Sequence, residues 1–179
     1  VDGELAVFEA FGDATTSTRF NVFSATKALI AGVVWQLIGE GRLDPSTRVI
    51  ELIDDFGIDG RTPDAMASIT LEQLLTHTGG FAFAPLGPDR WADRDARRAA
   101  YRRWFATTEP GSTFTYHPLA AHWIAAEMIE QLDGRDYRES VRERIIDPLG
   151  LHSFGLGVPE HDQADHAEDR DRELEADST

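Results

Sequence analysis

The stretch Ala25 to Gly39, ATKALIAGVVWQLIG, constrains the fold more than any other. It is apolar nearly all round, so a helix built from it has no face suited to water and belongs inside a core, with Gly39 and Gly41 supplying its stop. Other elements must then surround it. At 179 residues and 41% hydrophobic, the chain has material for one sizeable core and perhaps a second small lobe. The run also contains Lys27, the only lysine in a chain that otherwise carries its positive charge on arginine. Ser24 stands three residues before it.

Around this helix the pattern is mostly helical. TLEQLLTHTGG reads as a short helix with Thr70 as N-cap and Gly79-Gly80 as its end. DARRAAYRRWFA reads as another. Pro118 suits the first helical position of LAAHWIAAEMIEQLDG, where Leu119, Trp123 and Ala126 share a face. DYRESVRERIIDPLG spaces Tyr137, Val141 and Ile145 four apart and is ended by Pro148. Clear strand patterns are scarce. Asp2-Gly3 is a hairpin-turn dipeptide and ELAVFEAFG after it reads as a strand, yet only Val1 precedes the turn, so the sequence is expected to begin in mid-hairpin. Residues 160–179 are dense in acid with almost nothing apolar to bury, and are expected to form a mobile tail or interrupted loop beside a domain over 1–159.

Composition removes several classes of function. A formal charge of -15 disfavours binding to nucleic-acid phosphates or anionic lipid, which need a basic face. With no cysteine there is neither a disulfide framework nor thiolate chemistry. No apolar stretch reaches the roughly 18 residues of a membrane span. The N-terminus shows no basic region followed by an apolar one, which slightly favours the cytoplasm without fixing the compartment. His161 and His166 lie among acids without metal-ligand spacing, and no phosphate loop, dinucleotide fingerprint or G-x-S-x-G elbow occurs, so no metal or cofactor is expected.

Ser24 and Lys27 then stand out. Residues three apart on a helix lie on one face, about 5 to 6 Å apart at Cβ, so the lysine nitrogen reaches the serine hydroxyl. A serine hydroxyl needs a base to become a nucleophile. Lysine serves only if its pKa falls well below about 10.4, and the apolar flanks are expected to bury it enough to lower it. The positive end of the helix dipole in the same turn favours an oxyanion. The alternative is a lysine that simply sends its ammonium to solvent along its alkyl stem.

Four ordered blocks carry a resemblance: FSATKALIAGVVWQLIGEGRLDPSTRVIELI, TLEQLLTHTGGF, PGSTFTYHPLAAHWIAAEMIEQLDG and IIDPLGLHSFGLGVP. In order and spacing they resemble the serine β-lactamase-related family, which includes class C β-lactamases, D-alanyl-D-alanine peptidases and a branch of esterases. The resemblance implies an α/β fold, α+β by content, of the β-lactamase/transpeptidase type, mostly its helical lobe with a margin of the antiparallel sheet. It implies Ser24 as nucleophile, Lys27 as its base partner and Tyr116 as the phenol sharing the proton traffic, with the resting proton on either. It also implies an acyl-enzyme and a small-molecule ester or β-lactam-like substrate.

Departures refine this expectation. After the tyrosine many members have serine and asparagine; this chain has His117 and Pro118, and proline cannot hydrogen-bond the amide of a β-lactam or peptide. That shifts the expectation towards carboxylic esters, with β-lactams or D-amino-acid peptides next. His117 is placed as a pocket residue or a purely structural one, not a catalytic one. Trp91 and Trp104 fall in the segment expected to border the substrate cleft, while His77 is read as a packing or capping residue. No "KTG"-like or "HxG"-like strand follows Pro159, and losing one oxyanion donor costs about 100- to 1000-fold in rate. A non-catalytic binding or scaffold domain of the same fold therefore remains a second reading.

Overall fold

The apolar run forms the central helix. In this computed structural model, which describes residues 2–151 and 153–157, a 3-10 turn over Phe23–Thr26 leads into α1, Lys27–Gly39. Ile30, Val33, Val34 and Leu37 are buried along it, while Trp35 is 64% exposed, so the helix keeps one wet side despite its composition. Its end is a Schellman motif: Gly41 takes φ 70°, its N–H reaches the Ile38 carbonyl, and the Arg42 N–H reaches Leu37.

Short elements follow: a 3-10 turn over Val49–Glu51, α2 over Pro63–Ser68 and α3 over Leu71–Leu75. The start of α3 is a capping box, with the Thr70 side chain accepting from the Gln73 N–H and the Gln73 side chain accepting from the Thr70 N–H. The expected stop at Gly79-Gly80 comes earlier. His77 takes the left-handed position at φ 58°, and the Thr78 N–H closes on the Gln73 carbonyl at 2.9 Å. The glycine pair is used one turn later, where the chain passes close to Thr108.

α4, Arg94–Tyr101, begins on Asp93, whose side chain accepts from the Ala96 N–H. α5, Ala120–Asp133, packs against α1, α3 and α6, Tyr137–Val141. It starts two residues after Pro118, because Leu119 has a non-helical φ of -127°. The last helix changes pitch: Arg142–Ile146 is a π-helical turn. Residues five apart then share a side, so Val141 and Ile146 are both buried while Ile145 is only half-buried.

No strand occurs among the described residues; an isolated antiparallel bridge joins Arg48 with Thr70. The expected strand at 4–12 is therefore corrected. Asp2 and Gly3 do take the positive φ values of 51° and 83° that a hairpin turn needs, but 5–11 has no ladder partner, and Leu5, Val7, Phe8 and Phe11 are exposed. A helical body with almost no sheet matches the helical lobe that the resemblance implies. No helix among the described residues is long and apolar enough to cross a membrane. The tail at 160–179, with His161 and His166, lies outside the described residues.

Candidate active site

The local chain presents Ser24 by an unusual turn. The Asn21 side chain accepts from the Phe23 N–H at 3.0 Å, and Phe23 takes φ 44°, a left-handed conformation rare for a bulky residue. That turn places Ser24 on the 3-10 segment entering α1, with Lys27 one turn on. Lys27 Nζ donates to Ser24 Oγ at 3.0 Å. From 92 residues away in sequence, the Tyr116 hydroxyl donates to the same oxygen at 2.7 Å. Lys27 Nζ lies 5.3 Å from the centre of the Tyr116 ring. All three side chains singled out in the sequence therefore converge on one atom.

The surroundings differ from the dry pocket expected of the sequence. Ser24 is exposed, Lys27 is half-buried and Tyr116 is 42% exposed. The reason is position: Lys27 sits at the wet N-terminal end of α1, where Phe23 is itself 68% exposed, and full burial begins only at Ile30. What the site has instead is electrostatics. Hydrogen bonding with Ser24, then with Lys27, and the proximity of the lysine hold the Tyr116 phenol below its ordinary value.

Tyr116 is delivered by the stretch between α4 and α5. The Thr107 N–H reaches the Gly80 carbonyl at 2.7 Å, the Gly111 N–H reaches Thr78 at 2.8 Å, and the Thr115 N–H reaches His77 at 3.0 Å. Three backbone bonds thus fix the chain just before the phenol. Behind the ring lie three imidazoles: the His77 ring is 4.8 Å from Tyr116 and 5.7 Å from each of His117 and His122. Burial is the main cause holding all three below the usual histidine range, with His122 lowered to about 4.

Two expected pocket residues are placed elsewhere. His117 is fully buried, with Nδ1 donating to the Thr115 carbonyl at 2.6 Å and its ring against Phe81, so it has no surface to offer a substrate. Trp91 donates from Nε1 to the Leu86 carbonyl, packs on Trp123 and accepts from Arg97 of α4 at its carbonyl, and none of these partners belongs to the Ser24 cluster. Trp104, by contrast, lines a cleft of about 350 Å³ with Phe81, Phe83 and Phe105, rimmed by Arg90 and Arg103. Phe81 joins this cleft to the layer under Tyr116, its ring 4.9 Å from His117 and 6.0 Å from Trp104. The sequence reading missed the contact of His77 with Tyr116. Its signal was the THTGG block, which places a histidine at a helix end.

Comparison with known proteins agrees with this architecture. The chain is 29% identical over 147 residues to penicillin-binding protein 4 of Amycolatopsis lactamdurans, covering 82% of this chain and 38% of that protein. It is 28% identical over 145 residues to the esterase/beta-lactamase LipL of Mycobacterium tuberculosis, covering 79% and 32%. Among solved structures, a penicillin-binding protein homolog from Caulobacter crescentus superposes with TM-score 0.70 at 29% identity, over 84% of this chain and 40% of that one. A family VIII carboxylesterase superposes with TM-score 0.75 at 25% identity, over 86% and 42%. The chain thus spans about two fifths or less of the length of these relatives. The family model described as Beta-lactamase matches residues 1–178, and the chain belongs to that family.

Proposed function

We propose that this chain carries the acylating centre of a serine hydrolase acting on small carboxylic esters. One observation carries the reading: Ser24 Oγ lies within hydrogen-bond reach of both Lys27 and Tyr116, two groups that can take its proton once either has lost its own. Ser24 attacks the ester carbonyl while its proton passes to the phenolate form of Tyr116, a form that hydrogen bonding with Ser24 and then Lys27 makes easier to reach. The tetrahedral intermediate collapses, the C–O bond of the ester breaks, and the departing alcohol takes the proton back. Water then gives a proton to the same pair as it attacks the acyl carbon, releasing the acid and restoring Ser24.

The ester preference rests on Pro118. It stands where a side-chain amide would meet the amide of a β-lactam or peptide, and it has no donor to offer. The name of the family VIII carboxylesterase supports the same substrate class, while that of the esterase/beta-lactamase LipL covers both esters and β-lactams. A fluorophosphonate probe tests the nucleophile: wild type is expected to label at Ser24, and Ser24→Ala to lose the label with its fold unchanged. Comparing p-nitrophenyl acetate with nitrocefin tests the preference, with kcat/KM expected to be at least about tenfold higher for the ester. A chain that unfolds cooperatively yet neither labels nor turns over either substrate sinks the reading and leaves a non-catalytic binding domain.

A further inference from the structure

Deepening the role proposed for Tyr116, we infer that His77 is a positioning residue that clamps the backbone on both sides of that phenol. The carbonyl of His77 accepts the Thr115 N–H at 3.0 Å, and its Nδ1 accepts the His117 N–H at 3.2 Å. One residue thereby fixes the residues before and after Tyr116. The clamp is possible only because His77 takes φ 58° at the end of α3, a backbone strain of the kind that persists where its surroundings over-determine it. Its ring also packs against the Tyr116 ring, 4.8 Å away and tilted by 58°.

The chemistry of the ring follows from the bond. With Nδ1 accepting, a neutral His77 carries its proton on Nε2; protonation at Nδ1 would expel the His117 N–H and open the clamp. Burial above all, and then Lys27 on α1, favours the neutral form of His77. His117 is a buried imidazole and His122 a half-buried one, the Tyr116 ring lies 4.8 Å away, and Phe114 adds an apolar edge at 6.2 Å. No carboxylate appears among the groups acting on it.

Three substitutions separate clamp from cap. His77→Gly keeps the left-handed backbone and loses the side-chain acceptor. His77→Asn keeps both, since asparagine tolerates that conformation and offers an amide oxygen. His77→Leu lacks the acceptor and also strains the left-handed backbone. Two quantities are read: the rate of fluorophosphonate labelling, and the ionisation midpoint of Tyr116 from the phenolate absorbance band. The second is clean because burial holds Tyr101 and Tyr137 above the ordinary phenol range while Tyr116 lies below it.

The expected result is a loss of about 100-fold in labelling for His77→Gly and His77→Leu, with the Tyr116 midpoint moving up towards that of a free phenol. His77→Asn is expected to stay within about tenfold of wild type. If His77→Gly fails to fold, His77→Ala takes its place, losing the acceptor at a left-handed cost of only about 1 kcal/mol. Wild-type labelling and an unmoved midpoint in the acceptor-less variants overturn the inference, as does an asparagine variant no better than leucine. Tyr116→Phe is the control: if it labels at the wild-type rate, the proposed function fails, whereas the midpoint shift still reads positioning by itself.

Discussion

Gly80 holds φ 82°, and a Cβ built on it would run into the carbonyl oxygen of Thr108, while its own carbonyl accepts both the N–H and the Oγ1–H of Thr107. Gly134 at the end of α5 has nearly the same backbone, φ 68°, but open space where a Cβ would stand. Gly134→Ala is therefore expected to lose about 1 kcal/mol, the cost of the left-handed conformation alone. Gly80→Ala adds a clash with rigid backbone and should lose at least about 2 kcal/mol in urea unfolding. Equal losses would refute the close-approach argument. At this scale the sequence was most legible where chemistry is local. Ser24 and Lys27 are three apart on one helix, and the helix pitch alone brings Lys27 Nζ within reach of the hydroxyl. Tyr116 was legible through resemblance, and the left-handed conformation of His77 not at all, because a histidine pays for that backbone only when distant partners reward it.

Charge pairing dominates the contact of α4 with α5. Arg97 is nearly fully buried, donating to Glu130 Oε2 at 2.7 Å and to the Trp91 carbonyl at 2.8 Å. Glu127, with no exposed side-chain surface, accepts from Arg94 at 2.9 Å and from Arg98 at 3.4 Å. Burial raises the Glu130 carboxyl while Arg97 opposes the shift, so the glutamate depends on its partner to stay ionised. Arg97→Met is expected to cost about 3 to 5 kcal/mol by leaving buried carboxylates short of a cation, and adding Glu130→Leu should restore much of the loss. Chemical denaturation of the single and double variants measures both; a single-variant loss under about 1 kcal/mol would contradict the network. Periodicity found these helices, yet nothing in EMIE or in RRAAYRR tells that the carboxylates and Arg97 point inward. Whether a charge can be buried depends on a partner 33 residues away, which a helical pattern does not encode.

For the whole molecule, the buried imidazoles set a limit on the acid side. His122 keeps Nδ1 buried without a partner, and burial above all lowers its pKa from 6.5 to about 4. Its folded value lies below its unfolded one, so between those two values the unfolded chain binds more protons and stability falls as pH falls. The stability at stake is up to about 3 kcal/mol, present above the unfolded value and lost on the way down to the folded one. His77 and His117 act in the same direction. Carboxylates such as Asp136, lowered chiefly by its bond from Arg138, lose their contribution only at more acid pH. Tm is thus expected to drop between pH 6.5 and 4, with a shallower drop in His122→Phe; an unchanged slope would show that the imidazole is not buried in solution. The sequence by itself determined the central helix, the serine-lysine spacing and the scarcity of strands, because each follows from composition or helix pitch over a few residues. Tertiary structure alone decided that Tyr116 reaches Ser24, that His77 holds it there, and that His117 is sealed in the core instead of facing a substrate. Those outcomes depend on which distant segments pack together, and packing is a property of the assembled chain.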